Sequence, residues 1–372
     1  MKAVTYIGKG VVQMKKIFGM LSLVLILILG ACNTEKDSSS ESTNGTNTEK
    51  VYELNVSNIQ PSTHHYVYNV YEPWTEFVEK ETNGRVKVNV FHGGTLGKAT
   101  SAFEDTQGGI ADLAPVISTY YFDSIFFPYT IGNLPFAFPD STIGSEIMTK
   151  FGEKYAVDAI EEEVHYLGGS FVTDPYNLFS KKPVRKIEDI KGLKMRVQGK
   201  SDVPLVEAWG GVPVSIPLDE TYEALQKGTL DTAFYSTIGV LGHKYYEVAP
   251  YVLKMGTTVT PVIPIMNKDY YESLPEDLQK MFDEVLGPKL AELFSETHKK
   301  ELDKAYVELG KLIEGKGEII ELAPEEEAKF KASAKTLWDE WVEEANAKGY
   351  PGDQMMEDFN DMLLEAGLKL PF

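Results

Sequence analysis

The sequence predicts an α/β protein, long enough for two domains, built on parallel sheets covered by helices. Three observations predict it. A strand–helix–strand spacing runs from Tyr52 to Ile117, a second set of strand and helix patterns follows from His165 to Tyr235, and the chain beyond Pro275 is helical in character and rich in charge.

Before the first of these elements lies a segment of another kind. Met14, Lys15 and Lys16 precede the fifteen-residue apolar run Ile17 to Ala31, which ends in Leu29-Gly30-Ala31-Cys32. A positive start, a short apolar core and small residues before the break mark residues 1–31 as an export signal, too short for a spanning helix of about 20 residues. Met14 opens a more usual export segment than Met1. L-G-A-C resembles the lipobox of bacterial lipoproteins, which implies that Cys32 is lipidated and begins the mature chain. It is the only cysteine in the sequence, so neither an intramolecular disulfide nor a multi-cysteine metal site is available. Residues 33–50 carry no apolar side chain and are expected to be a flexible tether.

Removing residues 1–31 takes away four lysines and no acid, moving the formal charge from −20 to −24, with 32 basic against 56 acidic residues. That balance argues against a nucleic-acid partner and against broad adsorption to an anionic membrane, leaving the lipid as the membrane attachment. The runs Glu161-Glu162-Glu163 and Glu325-Glu326-Glu327 read as solvated helix faces.

The ordered elements are expected as follows. Tyr52 to Ile59 alternates as a strand, Tyr66 to Glu81 carries Val70, Trp74, Phe77 and Val78 on one helical side, and Gly84 ends that helix. Val86 to Phe91 is the next strand; after a glycine turn, a helix runs from Lys98 to Gln107 and a strand from Asp112 to Ile117. His165 to Phe171, Lys194 to Val197 and Leu230 to Tyr235 are strands, and Glu220 to Lys227 is a short helix opened by Asp219-Glu220. The β-branched stretch Tyr251 to Met266 is long enough to pass from one domain to the other. Helices are expected over Glu276 to Leu312, Pro324 to Ala347 and Met355 to Ala366.

The stretch I-E-D-I-K-G-L-K-M-R-V-Q-G-K from Ile187, followed by G-G-V-P-V-S-I-P-L-D-E-T-Y-E-A-L-Q-K-G-T-L-D-T-A-F-Y-S, resembles the extracytoplasmic solute receptors of TRAP transporters, the DctP-like family. N-G-R-V-K-V-N-V-F-H-G-G-T-L-G at 83–97, G-N-L-P-F-A-F at 132–138 and N-K-D-Y-Y-E-S-L-P-E-D-L-Q at 267–279 agree with it in order. The resemblance implies a two-lobed periplasmic-binding-protein-like fold with mixed or parallel sheets, an interdomain cleft and long C-terminal helices. It divides the chain into lobe 1 (51–173 plus about 262–300), lobe 2 (174–261) and helices packing across both (301–372). It further implies a receptor that closes on a small organic acid and delivers it to integral-membrane permease subunits, with no catalysis and no cofactor. Hinges are expected near 172–176 and 260–266.

By the same carry-over Arg196 grips the ligand carboxylate. A guanidinium offers two parallel donors matching two carboxylate oxygens, and the end of a strand is where parallel-sheet sites gather. Taken alone, Arg196 is equally a partner for Asp231. At motif positions where relatives carry a ligand-contacting asparagine and a second arginine, this chain has Tyr235 and Tyr176. Phenols there point to a monocarboxylate, since a second ligand charge would have no cationic partner; the bland alternative is that both pack in a lobe core. His65, beside His64, and Tyr120 are candidate ligand contacts, and Trp209 either walls the cleft or closes the apolar face of a helix. Adjacent histidines point in different directions, so joint metal binding is not expected. Competing readings are an ABC-type solute-binding lipoprotein and an extracellular lipoprotein hydrolase, but the chain has no G-x-S-x-G, H-E-x-x-H or Walker-type loop after Cys32.

Overall fold

A computed structural model describes residues 50–372; the export signal, Cys32 and the tether lie outside the described residues. Twelve strands form two sheets. The first holds β1 (Tyr52–Ser57), β2 (Val86–Phe91), β3 (Leu113–Ile117), β4 (His165–Tyr166), β5 (Phe171–Val172) and, much later in the chain, β11 (Pro261–Met266), in the order β2-β1-β3-β11-β4 with β5 also on β11. The second holds β6 (Asn177–Ser180), β7 (Lys194–Val197), β8 (Val212–Ser215), β9 (Thr232–Tyr235), β10 (Tyr251–Lys254) and β12 (Glu318–Glu321), in the order β12-β10-β6-β9-β7-β8. Both sheets are mixed: β1 and β2 run parallel in register Tyr52 to Val86, whereas β11 lies antiparallel to β3.

Local chemistry sets the first unit. In β1 the alternation buries Leu54 and Val56. The following helix forms in two steps, a π turn over Val67–Tyr71 and an α-helix over Glu72–Glu81 with Pro73 in its first turn. The wider turn lets Val70, Tyr71, Trp74 and Val78 all face the core. Trp74 donates its indole N–H to the Leu286 carbonyl at 2.8 Å. Asn83 (φ 52°) and Gly84 (φ 77°) then turn the chain out of the helix.

The chain leaves the first sheet after Val172, enters the second at Asn177, and returns between Lys254 and Pro261. The return therefore occupies 255–260 rather than 260–266, because Pro261 onward is already paired with β3 and β5. The two crossings lie side by side and share hydrogen bonds: Thr173 N–H to Thr260 O (3.2 Å), Tyr176 N–H to Thr258 O (2.7 Å) and Thr257 N–H to Tyr176 O (3.1 Å). A 27-residue helix, Gly287–Ile313, is a third connection. Its Leu290 and Phe294 belong to a core beside the first sheet, while Leu309 and Ile313 belong to the core of the second. The last helices do the same, Phe330 and Leu337 packing with the second sheet and Trp338, Trp341 and Phe359 with the first.

Several expected elements change shape. The strand His165 to Phe171 is two short pieces, interrupted where Gly168 adopts φ 72°. The helix before Gln107 begins only at Ala102. Helix Pro324 to Ala347 breaks into Pro324–Ser333 and Thr336–Ala347. β12 was not expected in the helical C-terminal region; E-I-I-E is short, and it becomes a strand because β10 offers it a parallel edge. Helix Ser141–Tyr155 was also missed, although Asp140 caps it by accepting from Thr142 and Ile143 N–H at 2.8 and 3.1 Å.

Candidate functional site

Between the sheets lies a narrow, partly open cavity of about 40 Å³. Ile59, Tyr66, Tyr71, Ile117, Phe171 and Val262 line it from the first-sheet side, and Tyr176, Gln198, Leu218, Tyr235 and Ser236 from the second. Phe171 stacks on Phe294 of the long helix with ring centroids 4.0 Å apart. The two crossings contribute Thr173 and Thr260, so the cavity sits against the segments that join the lobes.

Arg196 is in the middle of β7 and only 1% exposed. Its Nε donates to the Ile216 carbonyl at 3.0 Å and its Nη2 to the Tyr120 phenol at 3.2 Å. Asp231, the alternative partner, is engaged elsewhere: its Oδ2 accepts from the Lys194 N–H at 2.9 Å. Among the described residues no carboxylate forms an ion pair with Arg196. The Asp202 carboxylate lies within electrostatic reach of Arg196 without forming an ion pair with it, and a buried guanidinium with no direct partner is stabilised when an anion joins it. Four phenols, Tyr120, Tyr245, Tyr176 and Tyr235, lie within its electrostatic reach, and the last two line the cavity.

Tyr176 and Tyr235 face each other across the β6/β9 end, ring centroids 5.8 Å apart. Tyr176 donates to Gln198 Oε1 at 3.3 Å. Burial pushes both phenols above the ordinary tyrosine range, so each is a neutral donor. Both also pack in the core of the second sheet, so the functional and the bland expectation describe the same side chains. Tyr120 follows β3 and reaches across to Arg196, tying one lobe to the other.

Of the expected ligand contacts only Tyr176 and Tyr235 line the cavity; Arg196 and Tyr120 lie behind its wall, and Trp209 and His65 are placed elsewhere. Trp209 is not on the cavity: it ends helix Val203–Ala208, donates its indole N–H to the Phe330 carbonyl at 3.2 Å, and packs on Phe234 and Phe330. It closes the apolar face of that helix against the C-terminal helices. Of the histidine pair, His64 lines the cavity and His65 lies behind it, ring centroids 4.1 Å apart. Gln198 was missed, though it stands two residues after Arg196 at the end of the same strand, and period two places such residues on one side.

The lobes also touch at other points. Thr63 Oγ1 donates to the Gly242 carbonyl at 3.3 Å, Gln60 Oε1 meets His243 Nε2 at 2.7 Å, and Lys200 pairs with Asp123. Beside them Asp174, in the first crossing, joins three elements. Its carboxylate accepts from Thr237 N–H at 2.8 Å and from the Ser236 hydroxyl, and meets His298 Nδ1 at 2.9 Å; His298 Nε2 in turn contacts the Tyr66 phenol at 2.7 Å. No group of three or more His, Cys, Asp or Glu among the described residues is arranged to hold a metal ion. No helix among them is long and apolar enough to cross a membrane.

Two α/β lobes, paired crossings, a shared long helix and a polar-and-aromatic cavity at the hinge define a solute receptor of the periplasmic-binding type. The chain belongs to the family described as bacterial extracellular solute-binding protein, family 7 (DctP), which it matches over residues 56–345. It is 27% identical, with a TM-score of 0.70, to a TRAP periplasmic solute-binding protein from Desulfovibrio salexigens, covering 84% of this chain and 96% of that one. It is 26% identical, with a TM-score of 0.74, to one from Bordetella bronchiseptica with bound (R)- and (S)-mandelate, covering 84% and 99%. The C4-dicarboxylate-binding periplasmic protein DctP of Rhodobacter capsulatus is 25% identical over 276 residues, 73% of this chain and 81% of that protein. The first curated relatives are matched over 62% to 64% of their own length.

Proposed function

We propose that this protein is the extracytoplasmic solute receptor of a TRAP-type transporter, held to the cell membrane by a lipid on Cys32. In this reading it binds an organic monocarboxylate with an apolar, ring-bearing body and hands it to integral-membrane permease subunits. The observation that carries the reading is the buried Arg196, which forms no ion pair among the described residues and lies behind the cavity wall, within electrostatic reach of Tyr176 and Tyr235, which line it. One cation matches one carboxylate; a dicarboxylate would bring a second charge against phenols and amides, which do not neutralise it. Phe171, Phe294, Tyr66 and Tyr235 favour a flat apolar body, and the mandelate-bound relative is consistent with it.

Calorimetry with benzoate, mandelate and succinate tests the reading on wild type, Arg196→Lys and Arg196→Ala. Leaving a desolvated carboxylate unpaired costs about 2–5 kcal/mol, which is roughly 30-fold to several thousand-fold in affinity. Arg196→Lys recovers part of it, because an ammonium restores charge without the two-pronged geometry. Binding of Arg196→Ala within about threefold of wild type, or tighter binding of succinate than of either aromatic acid, would sink the proposal.

A further inference from the structure

We infer that His64 is a hydrogen-bond donor to a second, uncharged oxygen of the ligand, so that the solute is a hydroxy- or oxo-substituted monocarboxylate. This rests on the monocarboxylate reading above and adds to it the chemistry of the ligand's other end.

His64 is 1% exposed and lines the cavity. Its Nδ1 accepts the Tyr66 backbone N–H at 3.3 Å. Burial, and after it the neighbouring His65, His243 and His298, hold the ring well below the usual histidine pKa, hence neutral. A neutral imidazole whose Nδ1 is an acceptor carries its proton on Nε2. That Nε2 is buried and has no partner in the protein, an arrangement that folded proteins rarely leave unexplained. The ring is also held in place. His65 packs against it at 4.1 Å, and a Cβ added at Gly242 would come within 2.9 Å of its Cδ2.

Several polar oxygens of the cavity wall already accept a hydrogen bond from another group, and none is bonded to His64 Nε2. Gln60 Oε1 is taken by His243 (2.7 Å), and Asn58 Oδ1 by the Gln60 N–H (3.0 Å). Thr173 Oγ1 accepts the Thr260 N–H (3.0 Å), Gln198 Oε1 accepts from Tyr176 (3.3 Å), and Ser236 Oγ accepts the Gly239 N–H (2.9 Å) while donating to Asp174. An unpartnered Nε2–H at the wall matches a ligand that brings an acceptor. Arg196 takes the charged pair. The two side chains stand on different lobes, Arg196 on β7 and His64 after β1, so the imidazole is assigned to a different part of the ligand. A neutral donor suits a hydroxyl or keto oxygen, which needs no counter-charge.

The test is calorimetry of wild type, His64→Leu and His64→Gln with benzoate, 3-hydroxybenzoate and mandelate, with thermal unfolding of each unliganded protein as a control. In wild type the better of the two oxygenated acids is expected to bind about tenfold or more tightly than benzoate, the usual worth of one buried hydrogen bond and its orphaned donor. In His64→Leu that ratio collapses to about one; in His64→Gln, whose amide N–H reaches a similar place, part of it returns. A ratio that persists in His64→Leu, or wild type that does not prefer the oxygenated acids, overturns the inference while leaving the carboxylate reading intact. Should His64→Leu fail to fold, the wild-type preference and His64→Gln decide. If none of the three acids binds wild type, the ring-bearing monocarboxylate reading itself falls, and the role of His64 with it.

Discussion

Acid should loosen this protein well before its carboxylates titrate, because three neutral imidazoles are buried together between the lobes. His64, His65 and His243 have ring centroids 4.1 Å (64 to 65) and 5.7 Å (64 to 243) apart. Burial first, and neighbouring positive charge second, lower all three pKa values, that of His243 to about 4. In the unfolded chain each titrates near 6.5. Since the folded values are depressed, the unfolded state takes up protons first, and stability present above about pH 6.5 is lost as the pH falls toward the folded values. For His243, neutral in the fold and nearly protonated in the unfolded chain at pH 5, the slope there is about 1.2 kcal/mol per pH unit, and integrated from pH 8 to 5 it reaches about 2 kcal/mol. His64 and His65 act in the same direction and add to this loss. Asp202 and Asp112 act in the opposite direction, because burial pushes their carboxyls up and the fold holds their protons more tightly. The assay is urea unfolding of the unliganded protein at half-unit steps from pH 8 to 5, with His243→Gln alongside. The midpoint should be level above pH 7 and fall below 6.5, and His243→Gln should make that fall shallower. A midpoint unchanged between pH 7 and 5 would refute the reasoning.

Two further outcomes are expected. A Cβ at Gly199, in the second lobe, would lie 1.7 Å from the Thr119 carbonyl oxygen of the first. Gly199→Ala should therefore hold the lobes apart and weaken ligand binding about tenfold or more. Its unliganded melting temperature should change little, and ligand-induced compaction in small-angle scattering should disappear; normal compaction and affinity would show that the contact yields. Cys32→Ser should move the protein from the membrane fraction to the soluble one, and full retention on the membrane would contradict the single lipid anchor.

What the sequence disclosed and what it hid follow from the range over which each interaction acts. Short-range patterns were readable: the alternation of β1, the glycine that ends the first helix, the strand that carries Arg196. The π turn before Glu72 was not, because it answers to the packing of Tyr71 and Trp74 against distant residues such as Leu286. Nor was the role of Glu161, read as part of a solvated run although its carboxylate receives the Tyr166 N–H at 2.7 Å. Trp209 shows the same limit, since only the later helix carrying Phe330 gives its indole a partner. His298 is 124 residues from Asp174, and nothing local to either announces their contact.

The division of the site between lobes gives these distant contacts a common consequence. The second lobe supplies the guanidinium of Arg196 and the phenol of Tyr235; the first supplies Tyr120 and His64; the crossings supply Thr173 and Thr260. Neither lobe alone surrounds an anion, and without one the joined lobes bury a guanidinium that has no direct ion pair, beside phenols and the Asp202 carboxylate, and an imidazole N–H with no acceptor. Closing over nothing is therefore penalised, and closing over a carboxylate with a second oxygen removes both penalties at once. On the reading proposed above, the ligand's differential affinity for the closed arrangement, which any ligand-driven closure requires, would reside in these two groups. Arg196 and His64 are thus expected to govern closure as well as affinity.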